Sequence, residues 1–254
     1  MSNTKNICFL VSENKTLLFY EVYKYLKKFE INVFWITPNN RWHNYLVKKG
    51  VKDENILNLE RNFSKNKNKK KYHLDLNHSK NNENKFGISY SKIIHMDRIL
   101  KSIKPNISYS YINICFEKIY DFLDNKNIME VFSEQTWSFE IITTHVCNYL
   151  KIRSSYVSNV KFPSSYNEAR FTFFKGYKMD KIPDIINQEV NFDENFYRNY
   201  LLQYRQNPNP ATYLKDFENP YKYNFFVNFL KFFKHISLFI SDRNDFTKRS
   251  LFDL

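Results

Sequence analysis

The sequence predicts an α/β fold in which helices flank a parallel β-sheet. Short apolar runs alternate with amphipathic segments, polar residues follow most of these runs, and 43% of the 254 residues are hydrophobic. Strands buried on both faces read as continuous apolar runs, and their alternation with helices builds a parallel sheet covered on both sides. We therefore expect a Rossmann-like domain over residues 1–176, followed by a mainly helical, aromatic-rich segment over residues 177–254.

The N-terminal part contains a β-α-β unit and its continuation. The predicted elements are, in order, a strand at 6–12, a helix at 15–29, a strand at 31–37, a helix at 41–49 that ends at Gly50, and a short strand at 56–59. In the first helix, an apolar stripe at helical spacing predicts the side that packs on the sheet. The stripe consists of Leu18, Val22, Tyr25, Leu26 and Phe29.

A basic segment follows at residues 61–85, with eight Lys or Arg residues against two acidic ones. It supplies close to half of the formal net charge of +13. Its Lys and Asn content favours a flexible insertion. The alternative is a patch that meets an anion, such as a membrane surface, a lipid phosphate or a nucleic acid.

The second half repeats the alternation. The predicted elements are helices at 91–103 and 106–123, a strand at 128–133, a helix to about residue 150, a strand at 154–160 and an aromatic helix at 221–240. Residues 179–220 show no strand alternation. The helix at 221–240 packs on the domain or contacts a membrane surface or a partner.

Composition excludes several classes of protein. The three glycines do not form a phosphate-binding loop, and no paired Cys or His spacing indicates a zinc site. Cys8, Cys115 and Cys147 are odd in number and far apart, which fits a reducing cytoplasm. Neither a signal peptide nor a membrane span is expected. The aromatic residues are not interleaved with the Lys run and no nucleic-acid motif is present, so we expect no nucleic-acid partner.

The best chemical candidates surround the strand at 128–133. In an open α/β sheet, ligands bind at the carboxyl ends of the strands. Glu134 lies just past such an end, and Arg170 follows the next strand and its loop. Trp137, Glu140 and His145 lie on adjacent stripes of the helix between them. Carboxylates and an imidazole can move a proton, and a guanidinium can steady a phosphate.

Each of these residues also has a structural interpretation. Glu134 suits a helix N-terminus because of the macrodipole. Trp137 suits a core position, and His145 a structural or surface one. Arg170 suits a helix cap or a pair with Glu168. For Glu140 the catalytic and the structural roles are evenly balanced.

Three short blocks resemble a pattern in capsular polysaccharide biosynthesis proteins. They are residues 97–100 (DRIL), 132–140 (FSEQTWSFE) and 170–174 (RFTFF). In that family the central block is similar to Gly-Glu-Thr-Trp-Ala-x-Glu. This chain has Ser133 where a glycine is usual, and Gln135 is inserted before Thr136.

The resemblance implies a two-domain glycosyltransferase of the GT-B type. Its N-terminal domain holds a glycan or lipid-linked acceptor, its C-terminal domain binds a nucleotide-sugar donor, and it has no metal or tightly bound cofactor. The chain ends at Leu254, soon after the expected interdomain segment. We therefore expect the acceptor-side domain without the donor domain, either as a fragment or as a protein that works as a half.

The resemblance also implies roles for the candidate residues. Glu134 is the first candidate for the general base and Glu140 the second, with His145 assisting. Trp137 and Thr136 would contact the sugar, and Arg170 a phosphate. The expected location is cytoplasmic, including the inner face of the plasma membrane. The alternative function is a non-catalytic module that docks to a membrane or to assembly partners through residues 61–85 and 221–240.

Overall fold

The computed structural model of the protein describes residues 5–13, 15–67, 75–159, 171–175, 178–179, 194–206, 229–230, 232–233 and 236. The chain divides into two compact units. The first is Met1–Lys181 together with Asp242–Leu254, and the second is Ile182–Ser241. Arg170 and the loop that carries it lie outside the described residues.

The first unit contains a seven-stranded sheet in the order β3-β2-β1-β4-β5-β6-β7. Its strands are β1 Lys5–Leu10, β2 Ile31–Thr37, β3 Ile56–Asn58, β4 Glu130–Ser133, β5 Arg153–Asn159, β6 Phe171–Lys175 and β7 Lys178–Met179. The first five strands are parallel, and β6 and β7 extend the sheet in antiparallel fashion. The predicted Rossmann-like α/β fold is confirmed.

Helices cover both faces of the sheet. In the first unit they are α1 Lys15–Leu26, α2 Asn40–Lys48, α3 Leu59–Lys67, α4 Leu76–Phe86, α5 Tyr90–Met96, α6 Pro105–Asn125 and α7 Ser138–Leu150. The second unit contains α8 Glu194–Gln206. Because side chains alternate along β1, Phe9 faces the core beneath α1 and α2, whereas Cys8 and Leu10 face the larger core with α6 and α7.

The side of α1 that packs on the sheet differs from the predicted one. Thr16 and Phe19 are buried, and the ring of Phe19 stacks on Phe9 with centroids 4.7 Å apart. Four residues of the predicted stripe are exposed instead, namely Leu18, Val22, Tyr25 and Phe29. The helix has two apolar faces. The face with Phe19, Tyr20 and Tyr23 packs on the sheet because it contacts the rings of Phe9 and Trp35.

The basic segment at 61–85 is helical where the structure describes it. Residues 61–67 continue α3, and residues 76–85 belong to α4. Phe63 and Phe86 are buried in the larger core, so both helices are attached to the domain. The expected flexibility of the insertion stays a prediction, and the centre of its Lys run, residues 68–74, lies outside the described residues.

The predicted helix at 91–103 is interrupted at Asp97. Helix α5 ends at Met96, and a 3-10 turn follows at Leu100–Ser102. The Asp97 carboxylate Oδ1 accepts hydrogen bonds from the N–H groups of Ile99, at 2.7 Å, and Leu100, at 3.0 Å. A short acidic side chain that bonds the backbone ahead of it competes with helical hydrogen bonding, which explains the break.

Strands β6 and β7 were not predicted, whereas α8 lies within the mainly helical segment expected after residue 176. The predicted aromatic helix at 221–240 is helical at its described residues, where Phe229, Leu230, Phe232 and Phe233 are about half exposed. Within the part of the chain that the structure describes, none of the helices has the length and apolar character required to cross a bilayer.

Candidate functional site

The candidate site lies at the switch point of the sheet, where successive strands are added on opposite sides of β1. Strand β1 has β2 on one side and β4 on the other, so the chain leaves the carboxyl ends of β1 and β4 in opposite directions. Doubly wound sheets form a crevice at such a point, and ligands bind there. Two turns border it, the one between β1 and α1 and the one between β4 and α7.

An ion pair joins these two turns. The ammonium of Lys15, the first residue of α1, pairs with the carboxylate of Glu134, which directly follows β4. The hydroxyl of Thr136 donates a hydrogen bond to the same carboxylate at 3.1 Å. The side chain of Glu134 is 36% exposed, so it remains accessible from the crevice.

Glu140 holds the turn between β4 and α7 through hydrogen bonds to its backbone. Its Oε2 accepts hydrogen bonds from the backbone N–H groups of Thr136, at 2.5 Å, and Trp137, at 3.0 Å. This is the acidic half of a capping box, in which a carboxylate in the first turn of a helix bonds the backbone just before it. Glu140 is fully buried, and burial raises the pKa of its carboxyl, while Lys15 and the two backbone N–H groups oppose that rise.

Lys15 is the electrostatic centre of the site. Burial lowers the pKa of its ammonium, Glu140 and Glu13 act to raise it, and Arg98 lowers it further. Two cations and three carboxylates therefore influence one another here. The excess of one negative formal charge disfavours a bare anion at this site.

Arg98 and Asp97 bring a third element to the site. The Oδ2 of Asp97 accepts a hydrogen bond from the N–H of Ser138 at 2.8 Å, and the guanidinium carbon of Arg98 lies 5.3 Å from the ring centroid of Trp137. Trp137 is 7% exposed, so stacking of a sugar on its ring would need Arg98 to move aside.

Unpaired buried oxygen atoms concentrate at this edge of the sheet. Of the six buried side-chain atoms without a hydrogen-bond partner among the described residues, five lie at the carboxyl ends of β1, β2 and β4 or in the helices that follow. They are Ser12 Oγ, Thr16 Oγ1, Thr37 Oγ1, Ser133 Oγ and Glu140 Oε1. Buried polar atoms are normally satisfied, so this concentration marks a place for water or for a polar ligand.

The turn itself is strained at Gln135. This residue has a φ of 54°, in the left-handed region that side chains other than glycine seldom adopt. Its amide donates a hydrogen bond to the hydroxyl of Thr144 at 3.2 Å, which holds the turn against α7. Backbone strain of this kind persists where surrounding contacts enforce it, often at functional sites.

His145 lies elsewhere on α7. Its Nδ1 is 3.1 Å from the carbonyl oxygen of Phe86 and donates a hydrogen bond to it when that nitrogen carries the proton. His145 lies seven residues, about 10 Å, along the helix from Ser138. Burial lowers the pKa of its imidazole. The structure thus brings Glu134, Thr136, Trp137 and Glu140 together but not His145, whose catalytic role stays a prediction. The role of Arg170 also stays a prediction.

Lys15 was missed by the sequence analysis, as was the position of Arg98 beside the site. The signal for Lys15 was available, because the crevice is bordered by the turns after both β1 and β4, and Lys15 occupies the first of these. Arg98 had no such signal. Its place depends on the break at Asp97, which hydropathy does not reveal.

The fold and the site thus define a Rossmann-like α/β domain with acidic and basic side chains clustered at the switch point of its sheet. Comparisons of the chain with protein-family models, with curated proteins and with solved structures give no match. Within the described ranges, no group of three or more His, Cys, Asp or Glu side chains is placed to hold a metal ion.

Proposed function

We propose that this chain is a glycosyltransferase-like protein of capsule or surface polysaccharide biosynthesis and that it supplies the acceptor-side domain. The observation that carries the proposal is the convergence of Glu134, Glu140 and Lys15 at the switch point of the sheet. The resemblance of the DRIL and FSEQTWSFE blocks supports it, because Asp97 and Ser138 of these two blocks are hydrogen bonded to each other.

Glu134 is the better candidate for the general base. Its side chain is accessible, whereas Glu140 is fully buried and one of its oxygens accepts hydrogen bonds from two backbone N–H groups. In an inverting transfer, the acceptor oxygen forms a bond to the anomeric carbon, its proton passes to Glu134, and the bond from that carbon to the nucleotide phosphate breaks. Glu140 would keep the turn in the geometry that presents Glu134 to the acceptor.

Lys15 and the unpaired hydroxyls would hold the acceptor. Ser12, Thr16 and Ser133 offer groups that both donate and accept hydrogen bonds, as the hydroxyls of a sugar do. Lys15 would lock Glu134 in position before the acceptor arrives. The nucleotide-sugar would come from a donor domain that faces this edge of the sheet.

The test is transfer of a labelled sugar from a panel of nucleotide-sugars to a glycan or lipid extract, with a lysate of the cells that express the chain added to supply the donor domain. We expect Glu134→Gln to reduce transfer by about 100-fold or more, the usual contribution of a general base, while the protein stays folded. Glu117→Gln is the matched control, since Glu117 also pairs with a lysine, Lys118, but on the surface of α6. Full transfer by Glu134→Gln would remove Glu134 from the mechanism, and no transfer by the wild-type chain together with the lysate would refute its part in sugar transfer.

A further inference from the structure

Helix α1 carries an apolar stripe that is exposed beside the described residues. Leu18 and Val22 are each 39% exposed, Tyr25 is 60% exposed, and Phe29, in the turn after the helix, is 52% exposed. Their spacing of four, three and four residues places them along one side of the helix. Isolated apolar residues on a surface are ordinary, but a contiguous stripe indicates a contact surface.

The contacts of α1 show which sides are already occupied. Phe19 and Tyr23 face the sheet, where Tyr23 meets the ring of Trp35 at 5.5 Å. Tyr20 faces α2, with its ring 6.0 Å from that of Tyr45 and its hydroxyl bonded to the carbonyl of Lys49. The exposed stripe therefore lies on the side of α1 away from α2.

Lysines border this stripe at its C-terminal end. Lys24 lies in the last turn of α1, and Lys27 and Lys28 follow directly. The ammonium of Lys28 is 5.4 Å from the ring centroid of Tyr25, which in turn is 5.4 Å from that of Phe29. Lys28 thus lies beside the aromatic rings of the stripe, whereas Lys24 pairs with Glu21 and lies over the ring of Tyr20, on the side that faces α2.

The neighbouring edge of the sheet adds further basic residues. Lys5 begins β1 and pairs with Ile31, two residues after Phe29. Asn6 donates a hydrogen bond to the carbonyl of Lys126 at 2.7 Å, so Lys126 belongs to the same edge. The helix macrodipole favours cations at the C-terminus of α1. It gives no reason for exposed aromatic rings beside them.

We propose that this surface, Leu18, Val22, Tyr25 and Phe29 with Lys27 and Lys28 at its C-terminal end, docks the domain on an anionic lipid bilayer. Interfacial helices combine apolar side chains, which enter the headgroup region, with neighbouring lysines, which contact lipid phosphates. Each lysine near an anionic membrane surface contributes roughly 1 kcal/mol to the free energy of binding. A second copy of the chain fits less well, because it would bring the same lysines together. This surface is distinct from residues 61–85 and 221–240.

The test is co-flotation of the full chain with vesicles of phosphatidylcholine alone and of phosphatidylcholine with phosphatidylglycerol. We expect the wild type to bind the anionic vesicles at least about tenfold more tightly than the neutral ones. The double variant Tyr25→Ser/Phe29→Ser should lose about tenfold or more of that affinity, since each aromatic buries apolar surface. Lys27→Gln/Lys28→Gln should weaken binding to anionic vesicles alone.

Leu76→Ser/Met96→Ser is the matched control, because Leu76 and Met96 are exposed apolar residues outside the stripe. It should bind as the wild type does, and urea unfolding should show that all variants are folded. Equal binding to both kinds of vesicle, or equal losses in the stripe and control variants, would overturn the proposal. So would a stable dimer in sedimentation that Tyr25→Ser/Phe29→Ser dissociates, since a second copy would then cover the stripe.

Discussion

The carboxylate of Asp97 accepts a hydrogen bond from the backbone N–H of Ser138, 2.8 Å away and 41 residues along the chain. This contact fastens the end of α5 to the start of α7. Asp97 is completely buried and also accepts the N–H groups of Ile99 and Leu100. One side chain therefore fixes both the break after α5 and the helix that begins at the candidate site.

Asp97→Asn should destabilise the domain. Its amide nitrogen cannot accept hydrogen bonds, so at least one of the three backbone N–H groups that meet the carboxylate loses its partner. We expect the free energy of unfolding to fall by about 2–4 kcal/mol, as measured by urea denaturation. The control is Asp121→Asn on the exposed side of α6, which should change it by less than about 0.5 kcal/mol.

Glu140→Gln should flatten the pH dependence of stability. Burial raises the pKa of Glu140 above its ordinary value of 4.5, so the folded protein binds a proton that the unfolded chain releases. The stability associated with this proton is present below pH 4.5 and is lost as the pH rises through the raised pKa. Urea unfolding from pH 4.5 upwards should show a smaller loss of unfolding free energy in Glu140→Gln than in the wild type. Parallel curves would mean that the carboxyl is not held in a buried environment.

His145 should produce the opposite trend. Burial lowers its pKa from the ordinary 6.5, so the unfolded chain takes up a proton that the folded protein resists. The stability it contributes is present above pH 6.5 and is lost as the pH falls through the lowered pKa. The same unfolding series with His145→Gln should show a weaker loss on acidification. His95→Gln, at an exposed position, should behave as the wild type.

The succession of strands and helices in the parallel sheet was accessible from the sequence because each buried strand is a short apolar run with a helix after it. The orientation of α1 was not, since Leu18 and Val22 make as regular a stripe as Phe19 and Tyr23 do. Only the rings of Phe9 and Trp35 on the sheet decide between them. A single helix carries no information about its tertiary partners.

The candidate site was predictable in part for a similar reason. Glu134 and Glu140 lie beside a strand that hydropathy locates, so position alone singled them out. Whether Glu140 serves as a base or as a helix cap depends on the N–H groups of Thr136 and Trp137, which only the folded turn reveals. Lys15 becomes part of the site through the pairing of β1 with β4, a contact between residues distant in sequence.

The convergence of the two turns at the switch point is tested most directly by a double-mutant cycle on Lys15 and Glu134. Urea unfolding of Lys15→Met, Glu134→Gln and the double variant should give a coupling energy of about 1 kcal/mol, as a partly buried ion pair does. The surface pair Lys118 and Glu117 serves as the reference and should give less. A coupling energy of zero between Lys15 and Glu134 would mean that the two turns do not meet, and the proposed acceptor crevice would not exist.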